Sequence, residues 1–357
     1  MTERHNGTKS DNVRPQHRRQ FLKLAGIGSV TALAGCLAED SPGDAEEGDW
    51  EPSQTIRNII PYDQGGGTDV YARGINESLI DATGQSVQVD NIPGAGGLNG
   101  FGDLMGSEPD GHTILGTATP LEVAPQLLDD PGFDQRDAEG VCVFGESAWI
   151  LVVNEEYEGE VETFDDVIEM HNSGEWDTIG IQEPGSSQDV IVLLAQYGED
   201  EFEEYDWQWS ERVQYTGTGP VAEAVASGEV PCGIGTDAGT ASVTETGAIY
   251  PVVSFLSGGT EVYPDIPSVT DEGYPEMDFV GGLSRGVYAP PETPDDRTEW
   301  LSDAYAEAVE DDRTQEWSDN TGNPVFHEGP EAADELLDDA FESYEEFEVV
   351  ELVEANS

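Results

Sequence analysis

Short apolar runs alternate along this chain with turns of small residues, and that alternation predicts most of its elements. Residues 56–60 read as a buried strand that ends in PYDQGGGTD (residues 61–69), after which Val70, Tyr71, Ile75 and Leu79 recur at helical spacing. Residues 86–91 alternate Val87 and Val89 with polar neighbours, as a strand does, and lead into a second glycine-rich turn at residues 93–97. Residues 113–116 form a third predicted strand, closed by the hydroxyl-bearing turn at residues 117–120. Three successive strands ending in Gly/Thr turns predict βα units of an open parallel sheet, with the ligand outside the carboxyl ends of the strands.

Residues 141–144 and 149–153 read as further strands, the latter crossing into a second lobe. The rhythm then restarts. A helix over residues 164–170 precedes a strand at 178–181, and Gly185, Ser186 and Ser187 open a helix bearing Val190, Ile191, Leu194 and Ala195. Strands at 212–215 and 230–234 follow, with a helix to Ala226 between them, and residues 250–255 read as the strand returning to the first lobe. Two helices close the chain: one after Thr293 and Pro294, burying Trp300, Leu301, Ala304, Tyr305 and Ala308, and one from about Pro330, burying Leu336, Leu337, Phe341 and Tyr344. The expected organisation is one lobe from residues 54–152 with 256–357 and a second from 153–255.

Charge changes the picture of where such a protein works. The formal net charge is −63 over 357 residues, and no lysine occurs after Lys23. The acid is interleaved with ordinary apolar periodicity, so it predicts the solvated surface of a protein in concentrated salt, where repulsion is screened within about 3 Å at roughly 1 M ions. Nucleic acid is excluded as a partner, because the chain beyond residue 35 offers almost no charge to neutralise phosphates.

Residues 17–23 carry a twin-arginine signature and are followed by an apolar run too short to span a bilayer. Leu33, Ala34, Gly35 and Cys36 resemble a lipobox, so residues 1–35 are expected to be an export signal, with Cys36 bearing the lipid and an acidic tether over 36–53. The other cysteines, Cys142 and Cys232, read as buried free thiols, with a disulfide left open. His112, His171 and His327 show no metal-ligand spacing, and no metal or cofactor is expected.

The candidate chemistry is anion binding by bare backbone. A strand, three glycines and Thr-Asp at a helix start point N–H groups at a ligand. Each helix N-terminus carries roughly half a positive charge, worth about 0.3–1 kcal/mol and up to about 2 when partly buried. Enzyme signatures are missing. Gly94, Gly96 and Gly97 fail the dinucleotide fingerprint because residue 99 is Asn, a Walker lysine is impossible without lysine in this region, and Ser186 lacks the nucleophile elbow.

The succession PYDQGGGTDVYAR, DNIPGAGG, PDGHTILGT, QYTGTGPVAEAVASGEV, PDIPSVTDEGYP and VYAPPETP resembles the substrate-binding proteins of tripartite tricarboxylate transporters, from about Ile56 onward. The resemblance implies an α/β, two-lobed periplasmic-binding-protein fold of type II, each lobe a mostly parallel sheet flanked by helices, with a two-crossing hinge. It implies a receptor, without turnover, for a tricarboxylate, dicarboxylate or related acid, delivered to a permease of one large and one small membrane subunit. Carried over residue by residue, the ligand-binding set is Tyr62, Gly66, Gly67, Thr68 and Asp69; Pro93, Gly94, Ala95 and Gly96; Thr117 and Thr119; Ser186 and Ser187; Tyr215 and Thr218; and Asp237. Asp189 stands where many relatives have His, and Arg285 resembles a subgroup with Arg in place of an apolar residue; neither is assigned a contact. A sensory lipoprotein feeding a signalling partner would present the same cleft.

Overall fold

In the computed structural model, residues 50–182 and 184–356 are described; the twin-arginine signature, the lipobox with Cys36 and most of the tether lie outside the described residues. The first half of the chain runs β1 (Ile56–Ile60), α1 (Gly67–Gly74), α2 (Asn76–Thr83), β2 (Val87–Asn91), α3 (Leu98–Met105), β3 (Thr113–Gly116) and α4 (Val123–Asp129). β1 lies between β2 and β3 with both pairs parallel, as the βα rhythm predicts. The expected single helix after the glycine loop is two helices. They break at Ile75, and Gly74 lets the chain pass so close to Trp317 that a Cβ there would stand 2.4 Å from the indole. Tyr71, Ile75 and Leu79 are buried as predicted, whereas Val70 is 37% exposed.

The two predicted strands at 141–144 and 149–153 are one, β4 (Glu139–Asn154). The polar residues between them hid its continuity. Ser147 is nevertheless buried, and β4 pairs on both sides of it. Beyond it come α5 (Phe164–Asn172), β5 (Thr178–Ile181), α6 (Ser187–Tyr197), β6 (Glu211–Gln214), α7 (Thr218–Ala226), β7 (Cys232–Thr236), α8 (Asp237–Thr244) and β8 (Ile249–Ser254). A capping box between Thr163 and Asp166 starts α5. β5 pairs in parallel with both β6 and β7, repeating the arrangement of the first half. β8 pairs with the second part of β4 and stays in that half, so residues 255–281 make the return expected of the strand itself.

The chain closes with α9 (Asp278–Gly281), β9 (Gly282–Ala289), α10 (Asp295–Glu310), α11 (Asp312–Thr321), β10 (Val325–Glu328), α12 (Pro330–Glu346) and α13 (Val349–Asn356). Pro294 is the N-cap of α10, one position earlier than its expected first-turn place, while Pro330 opens α12 as predicted. β9 runs antiparallel to β3 and to the first part of β4. The sheet order is therefore β2-β1-β3-β9-β4-β7-β5-β6, with β4 common to both halves. Buried aliphatic and aromatic side chains pack on both faces, as a sheet covered by helices requires.

Cys142 and Cys232 are free and buried. Cys232 pairs with Val153, eleven positions along β4 from Cys142, so about 35 Å separates them at ~3.3 Å per residue and no disulfide can form. Among the described residues no group of His, Cys, Asp and Glu is placed to hold a metal, and no helix is long and apolar enough to cross a membrane.

Candidate functional site

A cleft of about 850 Å³ lies at the carboxyl ends of the parallel strands, with walls drawn from both sheet halves. Tyr62, Gly65, Gly66, Gly67 and Thr68 line it from the first half, and Gly185, Ser186, Thr218, Gly219 and Ala238 from the second. Four helices start at this cleft, and their first-turn amides have no acceptor within their own helix. Two of the four cap themselves. Ser186 Oγ accepts from Asp189 N at 3.4 Å at the start of α6, and Thr236 Oγ1 accepts from Gly239 N at 3.2 Å at the start of α8. The other two are bare: the N-caps of α1 and α7 are Gly66 and Gly217, so no side chain caps either helix.

The loop before α1 is held from behind. Gly65 adopts φ +86°, and its amide donates to Asp69 Oδ2 at 2.9 Å. Arg73 Nε donates to Asp69 Oδ1 at 2.9 Å and Asn91 Nδ2 donates to the same oxygen at 3.0 Å, tying the loop to the end of β2. These hydrogen bonds to Arg73, Gly65 and Asn91 outweigh its burial and hold the Asp69 carboxyl below its ordinary pKa. Asp69 therefore positions the loop and sits behind the cleft rather than in it.

The floor is made by β4 and β9. Ser147 pairs with Leu283 across the two strands, and their same-face neighbours are Trp149 and Arg285; all four line the cleft. Arg285 is 3% exposed. Its Nη1 donates to Leu283 O at 2.9 Å, its Nη2 donates to Ser147 Oγ at 3.3 Å, and its guanidinium lies 4.5 Å from the centre of the Tyr71 ring. A Cβ on Gly67 would stand 3.6 Å from Nη2, which places the guanidinium beside the first residue of α1. Among the described residues it forms no ion pair with a carboxylate. Burial pushes its pKa down from the ordinary arginine value.

The sequence candidates divide between the cleft and the layer behind it. Tyr62, Gly66, Gly67, Thr68, Gly96, Ser186 and Thr218 line the cleft. Pro93, Gly94 and Ala95 are exposed on the turn that carries Gly96 and do not line it. Thr117 and Thr119 are buried; Thr117 Oγ1 stands 3.2 Å from the Tyr62 hydroxyl, and Thr119 Oγ1 donates to the buried Glu122 at 2.7 Å. Ser187 is buried in the first turn of α6.

Tyr215 is half-buried against the second-half core, and its hydroxyl donates to Glu229 at 3.1 Å. Asp237 accepts from Ala238 N at 2.7 Å, Thr260 Oγ1 at 2.6 Å and Ala148 N at 3.3 Å, so it braces α8 against β4. The sequence reading left Arg285, Ser147 and Trp149 unassigned. Arg285 alone had a signal, the run LSRGVYAP, a strand whose one charged residue sits among apolar and small neighbours; Ser147 and Trp149 lie in β4, where nothing in the pattern set them apart.

Comparison with known proteins fits this geometry. The family model described as tripartite tricarboxylate transporter family receptor matches residues 71–345. Protein BugT of Bordetella pertussis is 28% identical over 271 residues, 75% of this chain and 78% of its own length. Two solved Rhodopseudomonas palustris structures share the fold: a protein with adipate (TM-score 0.69, 20% identity, 85% of this chain and 98% of that one), and MatC with bound malate (TM-score 0.66, 21% identity, 85% and 99%). The architecture is thus the mixed α/β periplasmic-binding-protein fold. The matched span covers more than half of the sequence, and the chain belongs to the tripartite tricarboxylate transporter receptor family, whose members are extracytoplasmic solute-binding proteins and not enzymes.

Proposed function

We propose that this protein is a lipid-anchored receptor that captures a small organic acid in the interlobe cleft and delivers it to a two-subunit tripartite permease. The observation that carries the reading is the meeting, in one cleft, of two bare helix N-termini with an arginine that has no carboxylate ion-pair partner among the described residues. Such a site demands negative charge from its occupant. The acidity of the chain does not oppose this, because surface carboxylates act through a potential that salt screens, while donors at contact distance in a closed cleft are hardly screened.

Tyr62, Gly66, Gly67, Thr68, Gly96, Ser186 and Thr218 are the contact residues in this reading. Asp69, Thr117, Thr119 and Asp237 hold them in place. Closure of residues 153–255 over the remainder supplies the second wall and expels water. Export by the twin-arginine route, a lipid on Cys36 and a saline habitat complete the proposal, supported by the motif at residues 17–23, the lipobox-like run and the net charge of −63.

Calorimetry in molar salt against di- and tricarboxylates, acidic amino acids and neutral sugars tests the ligand class. Binding of a sugar with no response to any acid would overturn it. Replacing Cys36→Ser tests the anchor: the protein should move from the membrane to the soluble fraction, and an unchanged distribution removes the lipid from the account.

A further inference from the structure

Arg285 is the most heavily buried charge on the cleft floor, and among the described residues nothing neutralises it at contact. Of the five N–H donors of a guanidinium, two are used, one by a main-chain carbonyl and one by the Ser147 hydroxyl, both uncharged. Its Nε is buried with no partner. The nearby acids Asp237 and Glu146 act on it only from a distance, because Asp237 is occupied by two amides and Thr260, and Glu146 accepts from Ser284 Oγ at 3.3 Å. A buried cation without a counter-ion is costly to the folded state, and a well-packed apolar side chain in its place is often neutral or stabilising. The ligand-free protein would be at least as stable without this charge, so the charge points to an occupant.

We infer that Arg285 is the specificity-determining residue of the cleft: one carboxylate of a dicarboxylic acid seats against its guanidinium beside the bare amides of Gly67 and Thr68. This deepens the receptor reading above and rests on it. The amides of α1 are dipoles that any polar oxygen can satisfy, whereas a planar fork with free donors and full charge rewards an ionised carboxylate over an amide or alcohol. The opposite wall, with the bare start of α7, takes the other end of the acid. A monoamide can satisfy only one of the two walls with charge.

The test is calorimetry in molar salt with adipate, malate and the monoamide of each, on the full protein and on Arg285→Met and Arg285→Lys. The wild type should prefer the diacid. Arg285→Met should weaken the better diacid by about 10- to 100-fold, as expected for lost charge-assisted hydrogen bonds, and bring the diacid-to-monoamide ratio close to one. Its ligand-free thermal midpoint should stay level or rise, which a residue serving only the fold would not show. Arg285→Lys keeps the charge but loses the fork, so it should bind the diacid about 10-fold more weakly while keeping the diacid preference. Equal loss of diacid and monoamide in Arg285→Met, or wild-type affinity in either variant, would overturn the inference and leave the receptor intact. If no acid binds the wild type, the receptor reading itself falls.

Discussion

The two halves of the molecule carry the same loop with opposite finishes. Gly65 and Gly185 both adopt left-handed backbone, φ +86° and +80°, and each donates its amide to the aspartate four residues on, at 2.9 Å to Asp69 and 2.8 Å to Asp189. The N-caps that follow, Gly66 and Ser186, share nearly the same extended geometry, φ −69° and −68°. There the likeness ends. Gly66 leaves α1 bare above Arg285, while Ser186 caps its own helix. Asp69 is paired with Arg73, whose side chain is 43% exposed, whereas Asp189 pairs with Arg212, which is 12% exposed and also donates to Asn356 O in α13. One frame has been finished once with a bare helix start and once with a self-capped, ion-paired joint.

The largest effect that would break this comparison is on binding. Gly67→Val should abolish ligand binding, by more than about 100-fold in calorimetry, because the new side chain fills the gap between the α1 amides and Arg285. Backbone φ at Gly67 is not in the left-handed region, so the thermal midpoint should hardly move. Unaltered affinity would remove the first loop from the site.

Next in size is Asp189→Ala, which strands the buried Arg212 charge and should cost about 3–5 kcal/mol in denaturant unfolding. The matching Asp69→Ala should cost less, about 1–3 kcal/mol, because Arg73 reaches water and only the hydrogen bonds from Gly65 and Asn91 are orphaned. Equal losses would mean the two joints are equivalent after all.

Smaller still is the pH dependence. Asp69 is held below its ordinary pKa, so the stability it contributes is complete above the usual carboxylate range and is lost as pH falls through its lowered value. The stability difference between wild type and Asp69→Asn should therefore narrow on acidification below about pH 4. Asp189 behaves oppositely: burial raises its pKa against the pull of Gly185 and Arg212, so its protonation begins above the ordinary value. Last, Ser186→Ala should cost about 0.5 kcal/mol in denaturant unfolding, at the low end for a cap because its hydrogen bond is long.

Which parts of this could be read from the sequence follows from what each feature depends on. Strands β1, β3 and β5 and the turns after them were legible because parallel strands buried on both faces read as apolar runs stopped by glycine or threonine, while the half-exposed outer strand β2 showed through its alternation of Val87 and Val89 with polar neighbours. β9 was not, because Gly282, Ser284, Arg285 and Gly286 break the alternation that marks a strand, and Arg285 was hidden with it. The uncapped start of α1 was visible in Gly66 and Gly67. The rearward roles of Asp69, Thr119 and Asp237 were not, since a carboxylate near a glycine loop looks the same in sequence whether it faces the ligand or braces the turn. The twin loops are visible as Gly-x-x-x-Asp at 65–69 and 185–189, but only the hydrogen bonds give that spacing its meaning.

β4 has one further consequence, for inheritance. A single sixteen-residue ribbon belongs to both halves, so neither can be passed on or exchanged as a cassette without leaving half its length as a raw edge. Chimaeras between relatives should keep residues 139–154 from one parent together with both sets of neighbours. Grafts that swap only the loops at the strand tips would leave that backbone whole, which makes the tips the part of this receptor most open to change.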